Sequence, residues 1–414
     1  MSRLNFTMHH RFFTLLLSMS AAFLVIYIIV FPEEAFQSSL QGLNIWWKIV
    51  FPSLLPFFIL SEVLIAYGFI RMLGVWLEPL MKLLFKVPGV GGWALAMGWT
   101  VGYPSSARIT ANLRQQELIT RNEGEKILAV SHASSPIFII NVVAVGFFHH
   151  VQLGFFIVFI QMISLLLLGL ALNLYYGKTT SNPKETPYKN LVARSLKVMS
   201  KAHKQDGRTF GKLLGDAVTT SIQNLMMIGG TMMLFAVMIK MFTLTNMMTI
   251  INKIFSELFS ISMFFDSMIE PVFTGWFEVH LGAYLISTQQ SAPFIWQISL
   301  LCSILSWSGF SAHLQVRGLI QNTDLRYRIF LGSRIVQTVF SFSLSFLLWK
   351  PYQILFSKTE PSFLNNLTLS ATETPFTVWN IWENTFEFMF LLLGTMFIFS
   401  AFIAMFKTIY HKFV

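Results

Sequence analysis

TVGYPSSARIT, residues 100–110, interrupts an apolar helical run: Gly102, Tyr103 and Pro104 break the pattern, Ser105 and Ser106 follow, and Arg108 arrives before any polar loop. In a soluble protein such a stretch would simply end a helix. In a bilayer, irregular backbone is tolerated only where protein buries it or where it lines a cavity. The meaning of the break therefore depends on whether its surroundings are membrane.

Composition answers that. Of 414 residues, 54% are hydrophobic and 12% charged, against about 25% charged in soluble domains. Uncharged runs reach about 20 residues, the length of one helical crossing. Forty-three Phe and 21 Met against 14 Pro suit helices better than the short alternating strands of a barrel. The single cysteine, Cys302, excludes an internal disulfide and reads as a small buried apolar residue. The net charge of +10 reports loop topology, so no nucleic-acid partner is expected.

Apolar crossings are expected at residues 12–31, 46–70, 127–148, 152–175, 217–242, 292–312, 329–349 and 386–406. The first follows Arg3 and Arg11 with no small-residue cleavage site, and reads as a retained helix. Segment 178–212 carries nine basic residues against Glu185 and Asp206, which places it in the cytoplasm. Arg317, Arg326 and Arg328 mark a second inner loop, and Lys407 and Lys412 an inner C-terminus. Glu33 and Glu34 mark an outer turn, so both termini are expected to be cytoplasmic.

Between these anchors, residues 89–110 must begin and end inside, and residues 263–289 must begin and end outside. Both are expected to be re-entrant hairpins. Each half then reads crossing, amphipathic segment (71–86 or 243–260), hairpin and two crossings, with the leading helix entering from opposite sides. GWTVG at residue 98 pairs with GWFEVHLG at residue 275, and the serine-rich breaks SHASSP and SWSGFS follow by 33 and 31 residues. The expected fold is an all-α polytopic membrane protein with about eight transmembrane helices, two re-entrant hairpins and an inverted repeat. Its parts are an N-terminal helix and outer turn (1–43), a first repeat (44–177), a basic cytoplasmic linker (178–212), a second repeat (213–350), and an outer loop with a last helix (351–414).

A helix that starts inside the membrane offers free N–H groups and the positive end of its dipole, which suits an anion. Residues 102–108 fit that, although Gly98 and Gly102 also allow simple close packing. Arg108 supplies a fixed positive charge there or snorkels to the inner surface. SHASSPIFIIN offers His132, Ser134, Ser135, Pro136 and Asn141, and SWSGFSAHLQVRG offers Ser308, Ser311, His313, Gln315 and Arg317. Such clusters form a substrate path or interhelical hydrogen bonds. Glu62, Glu270 and Glu278 are acids at membrane depth, with Asp266 before Glu270 and His280 beside Glu278. Glu62, Glu278, His280 and His132 are candidates for coupling or relay, and Arg108 or Arg317 are alternative structural partners for the acids. His149 and His150 read as a solvated turn rather than a metal site. The sequence lacks HExxH, P-loop and GxSxG signatures, so neither an enzyme nor a bound cofactor or metal is expected.

GYPSSARITANLRQQELIT (102–120), EGEKIL (123–128), SSPIFIINVVAVG (134–146), GFSAHLQV (309–316) and TDLRYRIFL (323–331) together resemble the YlbJ family of sporulation integral membrane proteins. The resemblance covers residues 45–350. It implies the nucleoside-recognition gate domain shared with concentrative nucleoside carriers and ferrous-iron permeases. It further implies an endospore-forming bacterium, a place in the mother-cell-derived outer forespore membrane, other sporulation membrane proteins as partners, and passage of dipicolinic acid towards the forespore. Ser106 stands where the family pattern leads one to expect Gly, Arg108 where Lys is expected, and Ser135 and Asn141 lie near expected glycines. The expected function is transport of a small anionic metabolite in the lipid bilayer by alternating access. The alternatives are a nucleoside or other solute carrier, and a scaffold acting through its basic linker.

Overall fold

A computed structural model describes Leu15 and residues 18–176, 191–259 and 266–356. Arg3, Arg11, the stretch 178–190, most of the outer loop, the expected crossing at 386–406, Lys407 and Lys412 lie outside the described residues.

Every regular element among the described residues is helical. Among the described residues, five segments are long and apolar enough to cross a membrane: Pro32–Ala66, Val151–Tyr176, Phe210–Leu244, Phe294–Ile320 and Tyr327–Gln353. Helix α1 (Ser18–Val30) is apolar but shorter. The first long segment is a rod of α2 (Pro32–Ile45), a π-helical turn π1 (Trp46–Val50) and α3 (Phe51–Ala66). Its start corrects the expected boundary at residue 46. Pro32 at the first position and Glu33 and Glu34 in the first turn suit a helix N-terminus, so the acid pair opens the rod instead of forming a turn before it. The π-turn has a local cause: Phe51 N donates to Trp46 O, five residues back, and Pro52 has no N–H with which to continue the ordinary ladder.

Helix α4 (Phe69–Leu84) follows a left-handed Gly68 (φ +76°) and is amphipathic, as its apolar spacing predicts. Then come α5 (Gly91–Thr100), α6 (Tyr103–Gln115), α7 (Arg121–Ser131), a second π-helix π2 (Phe138–Phe147) and α8 (Val151–Tyr176). A Thr120–Glu123 capping box starts α7. The basic linker holds a helix of its own, α9 (Leu191–Asp206), a correction to the expected loop. It docks on α4, where Arg194 donates to both carboxylate oxygens of Glu78 at 2.8 and 2.6 Å.

The order repeats in α10 (Phe210–Leu244), α11 (Met247–Phe259), α12 (Asp266–Phe277), α13 (Val279–Ser287), α14 (Phe294–Trp307), α15 (Gly309–Ile320) and α16 (Tyr327–Phe356). Each half thus runs long rod, amphipathic helix, two short helices, broken helix, long helix. The largest core cluster draws on both halves, from Trp46, Val50 and Ile139 to Leu225, Val279 and Leu301. Lipid offers little hydrophobic drive for helix association, so close packing of small residues has to hold such parts together. Gly98 and Gly282 do this: a Cβ on Gly98 would stand 1.8 Å from Ser131 O, and one on Gly282 would stand 2.2 Å from Gly275 Cα. The second contact joins residues on either side of Glu278, so α13 folds back on α12.

Candidate functional site

Three helix breaks, and the helix that follows a fourth, meet at one cavity of about 430 Å³. The first is at Gly102, whose φ of +104° and ψ of 179° belong to glycine alone. No atom lies within 4 Å of the point where its Cβ would be, so the glycine is required by conformation and not by crowding. Gly102 N closes the end of α5 on Met97 O. Helix α6 then begins without a side-chain cap, and Pro104 in its first turn has no N–H. Tyr103, Pro104, Ser105 and Arg108 line the cavity beside Gly102. Ser106 does not: it is buried and its hydroxyl donates to Tyr103 O at 3.0 Å. Glu62 of α3 reaches the same space.

The second break is the extended stretch 132–135 between α7 and π2. Ser134 donates to Leu305 O at 3.2 Å, and Ser135 Oγ accepts from Phe138 N at 3.3 Å, so each serine satisfies one end of a broken ladder. Both line the cavity with Phe138. Pro136 and Asn141 do not. His132 lies behind the wall, buried, stacked on Tyr103 at 4.8 Å and edge-on to Phe330 at 4.8 Å.

At the third break Glu278 is the N-cap of α13. Its Oε2 accepts from Leu281 N at 2.9 Å, and Oε1 lies 2.6 Å from His280 Nδ1. Both side chains line the cavity, and His280 meets Phe138 edge-on at 4.7 Å. The fourth break is Ser308, left-handed at φ +74° between α14 and α15, with its hydroxyl on Leu305 O. One turn apart on α15, Ser311 and Gln315 face the cavity. His313 points away to Tyr327 OH at 2.9 Å and Trp307 O at 3.0 Å, and Arg317 lies over the Tyr327 ring at 5.8 Å.

The Gate family, described as nucleoside recognition, matches residues 47–166. The sporulation integral membrane protein YlbJ of Bacillus subtilis (strain 168) is 37% identical over 375 residues, covering 89% of this chain and 91% of that protein. The chain belongs to the YlbJ family. No solved structure matches it.

In this YlbJ-family chain the Gate match spans the first two breaks, while the other two lie beyond it. Thus Glu62, Gly102, Tyr103, Pro104, Ser105, Arg108, Ser134, Ser135, Glu278, His280, Ser311 and Gln315 share one wall. Ser106, His132, Pro136, Asn141, Ser308, His313 and Arg317 stand outside it. Sequence reasoning missed Thr220, Asn224 and Thr231 of α10, which complete the wall. Their spacing of four and seven is a helical stripe and was a readable signal.

It also missed Arg334. This α16 residue is fully buried, donates Nη1 to His132 O at 2.7 Å and Nη2 to Ala129 O, and so caps the carbonyl end of α7 with a positive charge. An arginine inside an apolar crossing was the signal. Among the described residues, Arg108 makes no ion pair with Glu62 or Glu278, so the cavity holds one cation and two carboxylates that do not neutralise one another by contact. No group of three His, Cys, Asp or Glu side chains among the described residues could hold a metal ion.

Proposed function

We propose that this protein carries a small anionic metabolite across its membrane by alternating access. The observation that supports this most is the convergence of three helix breaks, with the helix after a fourth, on one cavity lined by the uncapped start of α6 and by Arg108. Backbone N–H groups and a guanidinium suit carboxylate oxygens, with the hydroxyls of Ser105 and Ser311 completing their coordination. Glu62 and the Glu278–His280 pair are the coupling groups, since added protons offset the charge of an arriving anion. The repeated element order supports an inverted repeat of two gate-like halves with α5–α6 and α12–α13 as re-entrant hairpins, and broken helices at a repeat interface are the usual seat of a transported solute. The basic residues of α9 and of the α15–α16 connection support a cytoplasmic side for those ends. Family membership supports dipicolinic acid as the substrate and the outer forespore membrane as the location.

Uptake of dipicolinic acid into proteoliposomes tests this. The wild-type protein should give saturable uptake, and Arg108→Ala should lower it by about tenfold or more, equivalent to about 1.4 kcal/mol. Uptake unchanged in Arg108→Ala, or absent from well-folded wild type, would remove the reading. A second reading, a nucleoside carrier, is favoured by the amides of Asn224 and Gln315 on the wall. In that case a nucleoside should compete and Arg108→Ala should be tolerated.

A further inference from the structure

A second space, polar on one side and lined by Ile45, Ile239, Leu281 and Leu285 on the other, lies beyond the fold between α12 and α13. This cavity of about 180 Å³ sits among α2, α10, α12 and α13, and Gln41, Lys240, Glu270 and Thr274 face it. It shares Ser38, Gln41 and Lys240 with a wider recess of about 630 Å³ at Glu33 and Glu34. Three carboxylates against one lysine make this side acidic.

Thr274 is 1% exposed, and its hydroxyl has no hydrogen-bond partner among the described residues although its side of α12 faces the cavity. A buried hydroxyl without a protein partner is satisfied by water where other polar groups share the space, as Gln41, Lys240 and Glu270 do here, and water fits a cavity of this size. Glu270, Thr274 and Glu278 are spaced four apart, so they line one face of α12 and its end. Glu278 forms the partition between the two spaces. Its backbone N donates to Thr274 O at 2.8 Å, and its carboxylate accepts from the backbone of Leu281, which faces the second cavity. The same carboxylate lines the central cavity.

We propose that this second cavity is a proton site that loads the central one. Glu270 takes up a proton from the Glu33 side, water beside Thr274 hands it on, and the Glu278–His280 pair holds it where the anion arrives. At each transfer the acceptor gains one proton and the donor loses it, and no electrons move. A carboxylate paired with a histidine ring exchanges protons readily and is a poor seat for a hard metal cation. The groups that face Glu278 are Tyr103 and Arg108 of α6, Glu62 of α3 and His280 of α13; those near Glu270 are Lys240 of α10 and, at the mouth, Glu33 and Glu34 of α2.

The proposal rests on the carrier reading, and the experiment separates the two. In proteoliposomes, dipicolinic acid uptake driven by a proton gradient directed from the Glu33 side is compared with substrate exchange at equal pH. Glu270→Gln and Thr274→Val should each lower gradient-driven uptake by about a hundredfold, the scale of losing a positioned proton-transfer group, and leave exchange within about twofold. Loss of both activities together, loss of neither, or full replacement of the proton gradient by a sodium gradient overturns the relay. Wild type that neither takes up nor exchanges substrate overturns the carrier reading instead. The cavity is then tested by chemistry alone: Thr274→Cys, in a Cys302→Ser background, should react with a small membrane-impermeant thiol reagent from the Glu33 side. No reaction from that side overturns the site.

Discussion

At the scale of single residues, the stretch 100–110 divides its work between neighbours that look interchangeable in sequence. Ser105 faces the cavity while Ser106 turns its hydroxyl back onto Tyr103 O. Gly98 is required by crowding and Gly102 by backbone conformation, so the two glycines of the stretch answer to different constraints. Gly102→Ala meets no neighbouring atom, yet it forces an alanine into a region it avoids. The substitution should cost about 1–3 kcal/mol, seen as a lower melting temperature in detergent. An unchanged melting temperature would show that the backbone at this break can relax. The sequence leads one to expect Glu62, Glu270 and Glu278 at membrane depth, but which face each side chain takes is a matter of tertiary contacts. His313 and Arg317 illustrate this: one helix carries them away from the cavity that their neighbours Ser311 and Gln315 enter.

At the scale of elements, both pairs of short helices (α5–α6 and α12–α13) and both amphipathic helices were legible, because Gly, Pro and Ser clusters interrupt strong apolar runs at matching places. The start of the first rod was not legible: Glu33 and Glu34 favour a loop by polarity and a helix N-terminus by electrostatics, and the second effect prevails once Pro32 precedes them. Helix α9 was hidden by its charge, which reads as solvated linker until Glu78 of α4 is available to hold Arg194. The broken helix α7–π2 depends on a partner from far along the chain. Arg334→Ala would strip Ala129 O and His132 O of their donors. The cost should be about 1–3 kcal/mol for each carbonyl left bare, measurable as thermal aggregation in detergent. Arg334→Lys should recover only part of this, because one ammonium lacks the fork that reaches two carbonyls.

At the scale of the whole molecule, the two halves are clasped at their basic end. Arg114 of α6 pairs with Asp324 at 2.8 Å, and Arg326 binds Glu125 of α7 through its backbone N and guanidinium at 2.8–2.9 Å. The hydrogen bond from Arg114 holds the Asp324 carboxyl below its ordinary range. Its contribution to stability is therefore present above the unfolded carboxyl value of about 3.9 and is lost as pH falls through the lower folded value. The Asp324 side chain is 45% exposed, so solvent screening keeps that contribution below about 1 kcal/mol. Melting temperatures of wild type and Asp324→Asn should differ slightly at neutral pH and converge in acid. A difference that persists in acid would assign the effect to packing.

The capping of α13 by Glu278 has a consequence for direction. Two halves built in the same order would present two matching mouths, and a ligand with a carboxylate at each end could lie either way round. Here the chain has answered one mouth with its own carboxylate, at 2.9 Å from Leu281 N, and left the α6 mouth uncapped. A near-symmetric frame thus becomes a polarised seat, and a symmetric dianion entering it would be handled as though it had a head and a tail.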